Sequence, residues 1–223
     1  MKHGFFVAIE GGDGSGKSTL IKGLRPLLEA LGLAICQTRE PGGSALGMRI
    51  RHMLLEEHET LSPEPLSELL LLLSARHQHL ETLIRPALRA GKLVLCDRFQ
   101  ASTMAYQGAG HGICQQLIVQ LSESILGHDR PDLTLILHLD GKTGLERVSA
   151  RAPANSYERF DLAFHQRVSN AFASMAREDQ SGRTVLLDAR LARHDLARKA
   201  YRLICDHMAR AGFGPEITAK AGS

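Results

Sequence analysis

Short apolar segments alternate along the chain with longer stretches in which apolar residues recur every three or four positions. The short segments predict buried β-strands, and the longer stretches predict amphipathic α-helices. The predicted strands are residues 5–9, 33–38, 92–96, 133–139 and 184–187. The predicted helices are residues 20–31, 44–57, 63–90, 101–106, 113–126, 142–151, 160–172 and 191–208. In the first helix, one face is expected to carry Leu20, Leu24, Leu27, Leu28 and Leu31.

The alternation of strands and helices implies an α/β sandwich of three layers, with a five-stranded parallel sheet between two layers of helices. No internal repeat or linker is visible, so we expect a single domain over residues 1–211 and a flexible tail at 212–223. Turn signals limit the helices. Ser62 is expected to cap the longest helix, with Pro63 in its first turn and Gly91 at its end, and a break is expected at 108–110.

Composition narrows the class of protein. A chain of 223 residues with 43% hydrophobic and 23% charged residues is ordinary for a soluble globular protein, and a net charge of +3 does not argue for nucleic-acid binding. The four cysteines lack the paired spacing of a zinc or redox motif, which is typical of a reduced protein in the cytoplasm. Apolar runs are too short for a signal peptide or a membrane span, so no membrane partner is expected.

The loop after the first predicted strand carries the first candidate chemistry. Residues 11–18 fit the pattern G-x-x-x-x-G-K-[ST] between a strand and a helix, which predicts a phosphate-binding P-loop. Glycines let backbone N–H groups point inward, and the helix start adds partial positive charge. Lys17 can reach the outer phosphates of a nucleotide, and the Ser18 hydroxyl can bind Mg²⁺. The predicted nucleotide-binding residues are Gly11, Gly12, Asp13, Gly14, Ser15, Gly16, Lys17, Ser18 and Thr19.

A P-loop alone does not distinguish a switch, a motor and a kinase. A guanine-reading Asn-Lys-x-Asp segment is absent, because neither Asn155 nor Asn170 is followed by lysine. A motor ATPase would normally carry adjacent acids after an apolar strand, whereas the fourth strand ends in the single acid Asp140. The chain instead carries arginines that could face a second anion: Arg39, Arg76, Arg98, Arg147, Arg151 and Arg159. This combination favours a phosphoryl transferase that holds donor and acceptor in line.

Five segments resemble those of the bacterial thymidylate kinases, which transfer the γ-phosphoryl group of ATP to dTMP. The segments are IEGGDGSGKST at 9–19, TREPGGS at 38–44, LLLLLSARHQHLETLIRPAL at 69–88, CDRFQASTMAYQG at 96–108 and RPDLTLILHLD at 130–140. They cover most of residues 4–140, whereas the last 80 or so residues match only in general layout. The resemblance implies a P-loop kinase fold with a mobile lid at about 147–159, ATP with Mg²⁺, and a homodimer.

The same resemblance assigns roles to individual residues. Asp13 is similar to a carboxylate that positions phosphates, and Asp97 to the acid beside the metal water, so the metal set is Ser18 and Asp97. The implied catalytic set is Asp13, Lys17, Asp97, Arg98 and Arg151, and Arg147 is assigned to the donor nucleotide. The implied acceptor set is Arg39, Leu72, Arg76, Arg98, Ser102, Thr103, Tyr106 and Gln107. Within it the three arginines are assigned to the dTMP phosphate, Thr103 to the thymine edge, and Tyr106 to the face of the deoxyribose.

Two departures from the family pattern leave alternatives open. Leu72 stands where the family usually has a phenylalanine that stacks on thymine, so a kinase for another nucleoside monophosphate remains an alternative, as does a regulatory ATPase without an acceptor. The segment around 152–157 lacks the usual Asp-Arg-aliphatic-Glu, and the P-loop has no arginine, so the resemblance is to the subgroup whose catalytic arginine comes from the lid.

Single residues also have simpler interpretations. Asp13 could be a turn former, Asp97 a helix cap, Tyr106 an ordinary core residue, and the arginines solvated charges. Glu10 and Glu40 are expected either to support the site or to be solvated.

Overall fold

A computed structural model describes residues 4–55, 63–150 and 157–214 of the chain. The strands are β1 (Phe5–Gly11), β2 (Ile35–Arg39), β3 (Leu93–Asp97), β4 (Leu133–His138) and β5 (Thr184–Asp188). The helices are α1 (Lys17–Glu29), α2 (Ala45–Leu55), α3 (Pro65–His79), α4 (Arg85–Arg89), α5 (Gln100–Thr103), α6 (Gln115–Leu126), α7 (Gly141–Ser149), α8 (Leu162–Glu178) and α9 (Arg193–Arg210). Two π-helical segments, Leu80–Ile84 and Met104–Gly110, and a 3₁₀ turn, Tyr157–Arg159, complete the elements of the described residues.

The five strands form one parallel sheet in the order β2-β3-β1-β4-β5, which confirms the predicted α/β class and sheet. The first strand is central, and Ile9 pairs with Asp97 on one side and Leu135 on the other. Arg39 at the end of β2 also pairs with Asp97. The carboxyl ends of β1, β2 and β3 therefore lie side by side, so the loops that follow them share one edge of the sheet.

Both faces of the sheet are covered by helices. Alternate residues of β1 point to opposite sides: Val7 and Ile9 pack in one core cluster with residues of α1 and α9, whereas Phe6 and Ala8 pack in another with residues of α4 and α6. In α1, the predicted buried face is wrong at Leu27, which is 39% exposed. The buried side is centred between Leu24 and Leu28 and includes Ile21, so Leu27 lies at its margin.

Three predicted helix limits need correction or fall outside the described residues. The long helix begins at Pro65, so that proline and not Pro63 occupies the first turn, and Ser62 is outside the described residues. Residues 108–110 (Gly-Ala-Gly) form the end of a π-helical segment, in which the His111 amide donates to the Tyr106 carbonyl at 2.9 Å, and the break follows at 111–114. A side chain at Gly110 would collide with the Phe164 ring, so this glycine serves close packing.

Candidate active site

The P-loop is packed directly on the start of α7. Gly11, Gly14 and Gly16 have φ values of 136°, 75° and 92°, which favour glycine. A Cβ on Gly14 would overlap the carbonyl of Gly144, and a Cβ on Gly144 would overlap the carbonyl of Asp13. Two glycines facing each other thus bring the loop backbone and α7 into contact.

Lys17 is folded back over the P-loop. Its Nζ donates to the carbonyl oxygens of Gly11 and Gly12, both at 2.9 Å, and the side chain is only 8% exposed. Burial first, and then the charge of Arg98, lowers the pKa of Lys17 from 10.5 to about 8, although nearby carboxylates act in the opposite direction. The loop therefore holds a cation that lacks a strong anionic partner, which is the electrostatic condition for binding a phosphate chain.

Arg98 is the centre of the site. Among described residues other than glycine, it alone has a positive φ, of 69°, a conformation that costs about 1–2 kcal/mol. Its Nη2 donates to Asp13 Oδ1 at 2.5 Å and to the Tyr106 hydroxyl at 3.2 Å, and its Nη1 donates to the Gly11 carbonyl and Ser102 Oγ, each at 3.2 Å. An observed backbone strain of this kind, held by four contacts, points to a functional position.

Asp13 and Tyr106 complete this cluster. The Tyr106 hydroxyl donates to Asp13 Oδ2 at 2.8 Å, and the Arg98 guanidinium carbon lies 4.9 Å from the Tyr106 ring centroid. Burial acts to raise the pKa of Asp13, but the charges of Arg98 and Lys17 outweigh it and hold that pKa below its ordinary value. Asp13 is therefore an ionised partner of Arg98 and more than a turn former, and Tyr106 bridges the site as well as packing in the core.

Ser18 and Asp97 bring oxygen ligands together at the start of α1. Ser18 Oγ donates to Asp97 Oδ2 at 3.2 Å, while the buried Asp97 Oδ1 has no hydrogen-bond partner among the described residues. Asp97 does not cap the next helix, because α5 has no side-chain cap in the described structure. Hydroxyl and carboxylate oxygens are the donors that Mg²⁺ prefers, and one of them is unsatisfied, so the pair fits that ion. The described residues contain no cluster of three or more metal-ligating side chains.

Glu10 is fully buried and supports the loop that carries Arg98. Its Oε1 accepts from the backbone N–H groups of Phe99 and Ser102 at 2.8 and 3.2 Å, and its Oε2 accepts from Ser102 Oγ at 2.6 Å. Burial raises the pKa of Glu10 against these hydrogen bonds. Of the two expectations for Glu10, a supporting role is confirmed by these contacts and solvation is wrong.

Arg76 lies in a second, adjacent network. Only 3% exposed, it donates from Nε to Glu40 Oε2 at 2.7 Å, from Nη1 to Gln100 Oε1 at 2.7 Å and from Nη2 to Thr103 Oγ1 at 2.8 Å. Glu40 is also buried, and its Oε1 contacts His79 Nδ1 at 3.0 Å. For Arg76 and Glu40, as for Arg98, the interpretation as solvated charges is therefore wrong. Arg39 is the exception, since it is exposed at the end of β2.

One cavity of about 250 Å³ joins the two networks. The residues predicted from the sequence that line it are Asp13, Gly14, Gly16, Lys17, Ser18, Thr19, Arg39, Leu72, Arg76, Asp97, Arg98, Ser102, Thr103, Tyr106 and Gln107. Gly11, Gly12 and Ser15 lie in the same loop outside the lining. The P-loop, Arg39, Arg98 and Arg76, and a partly apolar wall at Leu72 thus meet in a single pocket.

Sequence reasoning missed several residues of this cavity. They are Pro41, Arg51, Leu55, Phe99, Tyr157 and Glu158. Tyr157 stands out, because its hydroxyl donates to the buried Glu68 Oε1 at 2.7 Å, to which Gln107 Nε2 also donates at 2.7 Å. The available signal was an aromatic residue inside an otherwise polar segment.

The arginines predicted for the lid are only partly described. Arg151 lies outside the described residues. Arg147, on α7 and one turn after Gly144, donates from Nη1 to the carbonyl of Ala189 at 3.2 Å and does not line the cavity. Arg159 is exposed in the 3₁₀ turn.

Known proteins are similar to this chain over most of its length. A sequence model described as thymidylate kinase matches residues 9–199. Thymidylate kinases from Protochlamydia amoebophila and Caulobacter vibrioides are 40% and 45% identical, over 90% and 85% of this chain and 92% and 90% of their own lengths. A crystal structure of thymidylate kinase from Ehrlichia chaffeensis superimposes with a TM-score of 0.72 at 30% identity, covering 90% of this chain and 98% of the other. Within the described residues, no helix has the length and apolarity needed to cross a membrane.

Proposed function

The chain belongs to the thymidylate kinase family, and from that premise we propose how its residues divide the work of phosphorylating dTMP. The protein is an ATP-dependent phosphotransferase that converts dTMP to dTDP. The observation that carries the assignment of roles is the single cavity in which the P-loop residues meet the Arg98 and Arg76 networks. In this proposal, residues 1–211 act as one catalytic domain.

The P-loop and Lys17 form the donor side. Backbone N–H groups of the loop and the positive end of α1 bind the phosphates of ATP. When ATP enters, Lys17 exchanges the carbonyl oxygens of Gly11 and Gly12 for β- and γ-phosphate oxygens, and thereby gains an anionic partner. Arg147, one turn after Gly144 on α7, is assigned to the same nucleotide by resemblance to the family.

Ser18 and Asp97 are the residues that would hold Mg²⁺. The unsatisfied Asp97 Oδ1 and the Ser18 hydroxyl supply the oxygen ligands, directly or through water. Bound Mg²⁺ would supply positive charge that offsets the negative charge of the phosphates. Asp97 also keeps the Ser18 hydroxyl turned toward the phosphate side of the loop.

Arg98 and Asp13 connect donor and acceptor. Arg98 faces the P-loop carbonyl of Gly11 and, through Tyr106, the acceptor side, so its guanidinium can contact both the dTMP phosphate and the transferring phosphoryl group. Asp13 fixes the direction of that guanidinium. Catalysis of phosphoryl transfer consists almost entirely of such positioning and charge stabilisation.

The remaining acceptor residues divide between phosphate and nucleoside. Arg39 is exposed at the cavity edge and remains assigned to the dTMP phosphate. Arg76 shares a hydrogen bond with Thr103, so we place it beside the base rather than with the phosphate. Tyr106 packs against the sugar, and Ser102 supports it through Arg98. Gln107, which donates to Glu68, is assigned to the same pocket. Leu72 covers the base with an aliphatic side chain.

The catalytic arginine of the lid is assigned to Arg151, with Arg147 and Arg159 in support. The P-loop carries no arginine, and charge on the transferring group still has to be neutralised as the lid covers it. Resemblance to the family is the basis of this assignment.

We further propose that the protein is a cytoplasmic homodimer without nucleic-acid or membrane partners. Helices α3 and α6 pack together and expose Leu66, Leu70 and Leu117, a surface that a second copy could cover. Light scattering of the wild type and of Leu70→Glu measures the oligomeric state. A monomeric wild type at micromolar concentration would contradict it.

ADP release with different acceptors tests the function. Purified protein with Mg-ATP is given dTMP, dUMP, UMP, dCMP, AMP or thymidine, with Lys17→Ala as the inactive control. The highest kcat/KM is expected with dTMP. Faster turnover of another monophosphate would reassign the acceptor, and ADP release that no acceptor changes would identify an ATPase instead.

A further inference from the structure

His79 lies behind the cavity without lining it, yet both of its ring nitrogens are engaged. It is on the last turn of α3, three residues after Arg76, and is completely buried. Nδ1 lies 3.0 Å from Glu40 Oε1, and Nε2 lies 2.7 Å from Thr38 Oγ1. Because a carboxylate only accepts, Nδ1 carries a proton and donates to Glu40, while Nε2 forms a hydrogen bond with the Thr38 hydroxyl.

Glu40 connects His79 to Arg76. Its other oxygen, Oε2, accepts from Arg76 Nε at 2.7 Å, so both oxygens of the carboxylate are occupied by different partners. Arg76 in turn donates to Thr103 Oγ1 at 2.8 Å. A continuous chain of contacts thus runs from the end of β2 through α3 to α5, and its far end is in the acceptor pocket.

Packing holds the same chain in place from the other side. Gly43, in the loop that follows Glu40, has a φ of 71°, and a Cβ there would overlap the His79 imidazole and the Thr38 hydroxyl. The loop therefore rests on the ring itself. Any shift of the imidazole would move both the carboxylate of Glu40 and the backbone that carries it.

We propose that His79 is a positioning residue for acceptor binding: it fixes the Glu40 carboxylate, which fixes the Arg76 guanidinium beside Thr103. This inference rests on the proposed function, in which Arg76 and Thr103 contact dTMP. A histidine that only filled the core would affect stability, whereas one that positions Arg76 affects the binding of dTMP in particular. An arginine has many rotamers, and its orientation in a pocket depends on partners of this kind.

The test compares His79→Leu and His79→Asn with the control His77→Leu, an equal change at an exposed site of the same helix. His79→Leu is expected to raise the KM for dTMP about tenfold, with kcat and the KM for ATP within about twofold of wild type. In His79→Asn the introduced side-chain amide would stand where Nδ1 stood, so this variant should recover most of the affinity. In an Arg76→Ala background, His79→Leu should change the KM for dTMP less than twofold.

Several results would overturn the inference. One is a KM effect of equal size with and without Arg76, and another is a parallel change in kcat and both KM values. A third is a KM for dTMP that is the same in His79→Leu as in the active wild type. If His79→Leu fails to fold, Thr38→Val and His79→Asn replace it. The positioning role would then be contradicted by two results together: an unchanged affinity for dTMP in the isosteric Thr38→Val, and a general loss of activity in His79→Asn. Absence of acceptor-dependent ADP release in the wild type would instead overturn the proposed function, and this inference with it.

Discussion

ATP binding is expected to draw a proton onto Lys17. In the nucleotide-free protein, burial and Arg98 lower the pKa of this lysine to about 8. The triphosphate brings several negative charges within reach of Nζ and should restore a pKa near or above the usual 10.5. Lys17 is therefore largely neutral before binding at pH 9 and charged after it.

The magnitude follows from the two pKa values. With a pKa of about 8, roughly 0.9 of the Lys17 side chains are neutral at pH 9 and roughly 0.1 at pH 7. The difference from 10.5 corresponds to about 3 kcal/mol by which the charged form is disfavoured in the nucleotide-free fold. Because the pKa is lower in the folded than in the unfolded state, the free energy of unfolding should rise from about pH 8 to about pH 10.5 and be level below pH 8.

Titration calorimetry of ATP binding in two buffers of different ionisation enthalpy measures the proton count. Uptake of nearly one proton is expected at pH 9 and of about 0.1 at pH 7, where protonation of ATP itself, with a phosphate pKa of roughly 6, adds a small release. Lys17→Arg is the matched control, since arginine stays charged throughout. If the wild type took up no more protons at pH 9 than Lys17→Arg, either the low pKa or the contact with phosphate would be wrong.

Three further substitutions probe the rest of the site. Arg98→Lys should lower kcat/KM for dTMP about a hundredfold, because an ammonium cannot reproduce the forked contacts, and activity within fivefold of wild type would contradict this. Arg151→Ala should lower kcat about 10³-fold with a smaller change in the KM for dTMP; near-normal turnover in Arg151→Ala and also in Arg147→Ala and Arg159→Ala would exclude the lid as the source of the arginine. Leu72→Phe should tighten dTMP binding about 2- to 13-fold in calorimetry, since a ring adds stacking that leucine lacks, and unchanged affinity would mean that residue 72 does not face the base.

The centre of the sheet could be predicted because β1, β3 and β4 are largely buried on both faces. A run such as residues 5–9 must be apolar throughout when Phe6 packs on one side and Val7 on the other, and this leaves a clear signal in the sequence. The P-loop could also be predicted, since its strand, glycines and helix follow each other directly along the chain. Errors arose where tertiary packing overrides local preference, as at Gly110, which ends a π-helical segment where the Phe164 ring occupies the space of a side chain.

The networks behind the site could not be read from the sequence. In the sequence, nothing distinguishes Glu10 and Glu40 from exposed acidic residues. Only the fold shows that each is buried and accepts hydrogen bonds from donors in distant segments. The positive φ of Arg98 has no local signal either, because the contacts of its side chain include Gly11 and Asp13, more than 80 positions away. Roles assigned by resemblance stay predictions where the family pattern itself is broken, as at Leu72.

The contact between Gly14 and Gly144 sets a rule for sequence variation in this protein. Each glycine is excluded from carrying a side chain by the backbone of the opposite loop or helix, and not by a side chain that could itself be made smaller. A second substitution on the opposite side of the contact therefore cannot make room for a side chain. In a library that varies both positions together, no pair of substitutions should restore activity that one of them alone abolishes. Gly14 belongs to a recognisable motif and its restriction could be expected; Gly144 has no motif around it, and the fold alone predicts that it is equally restricted.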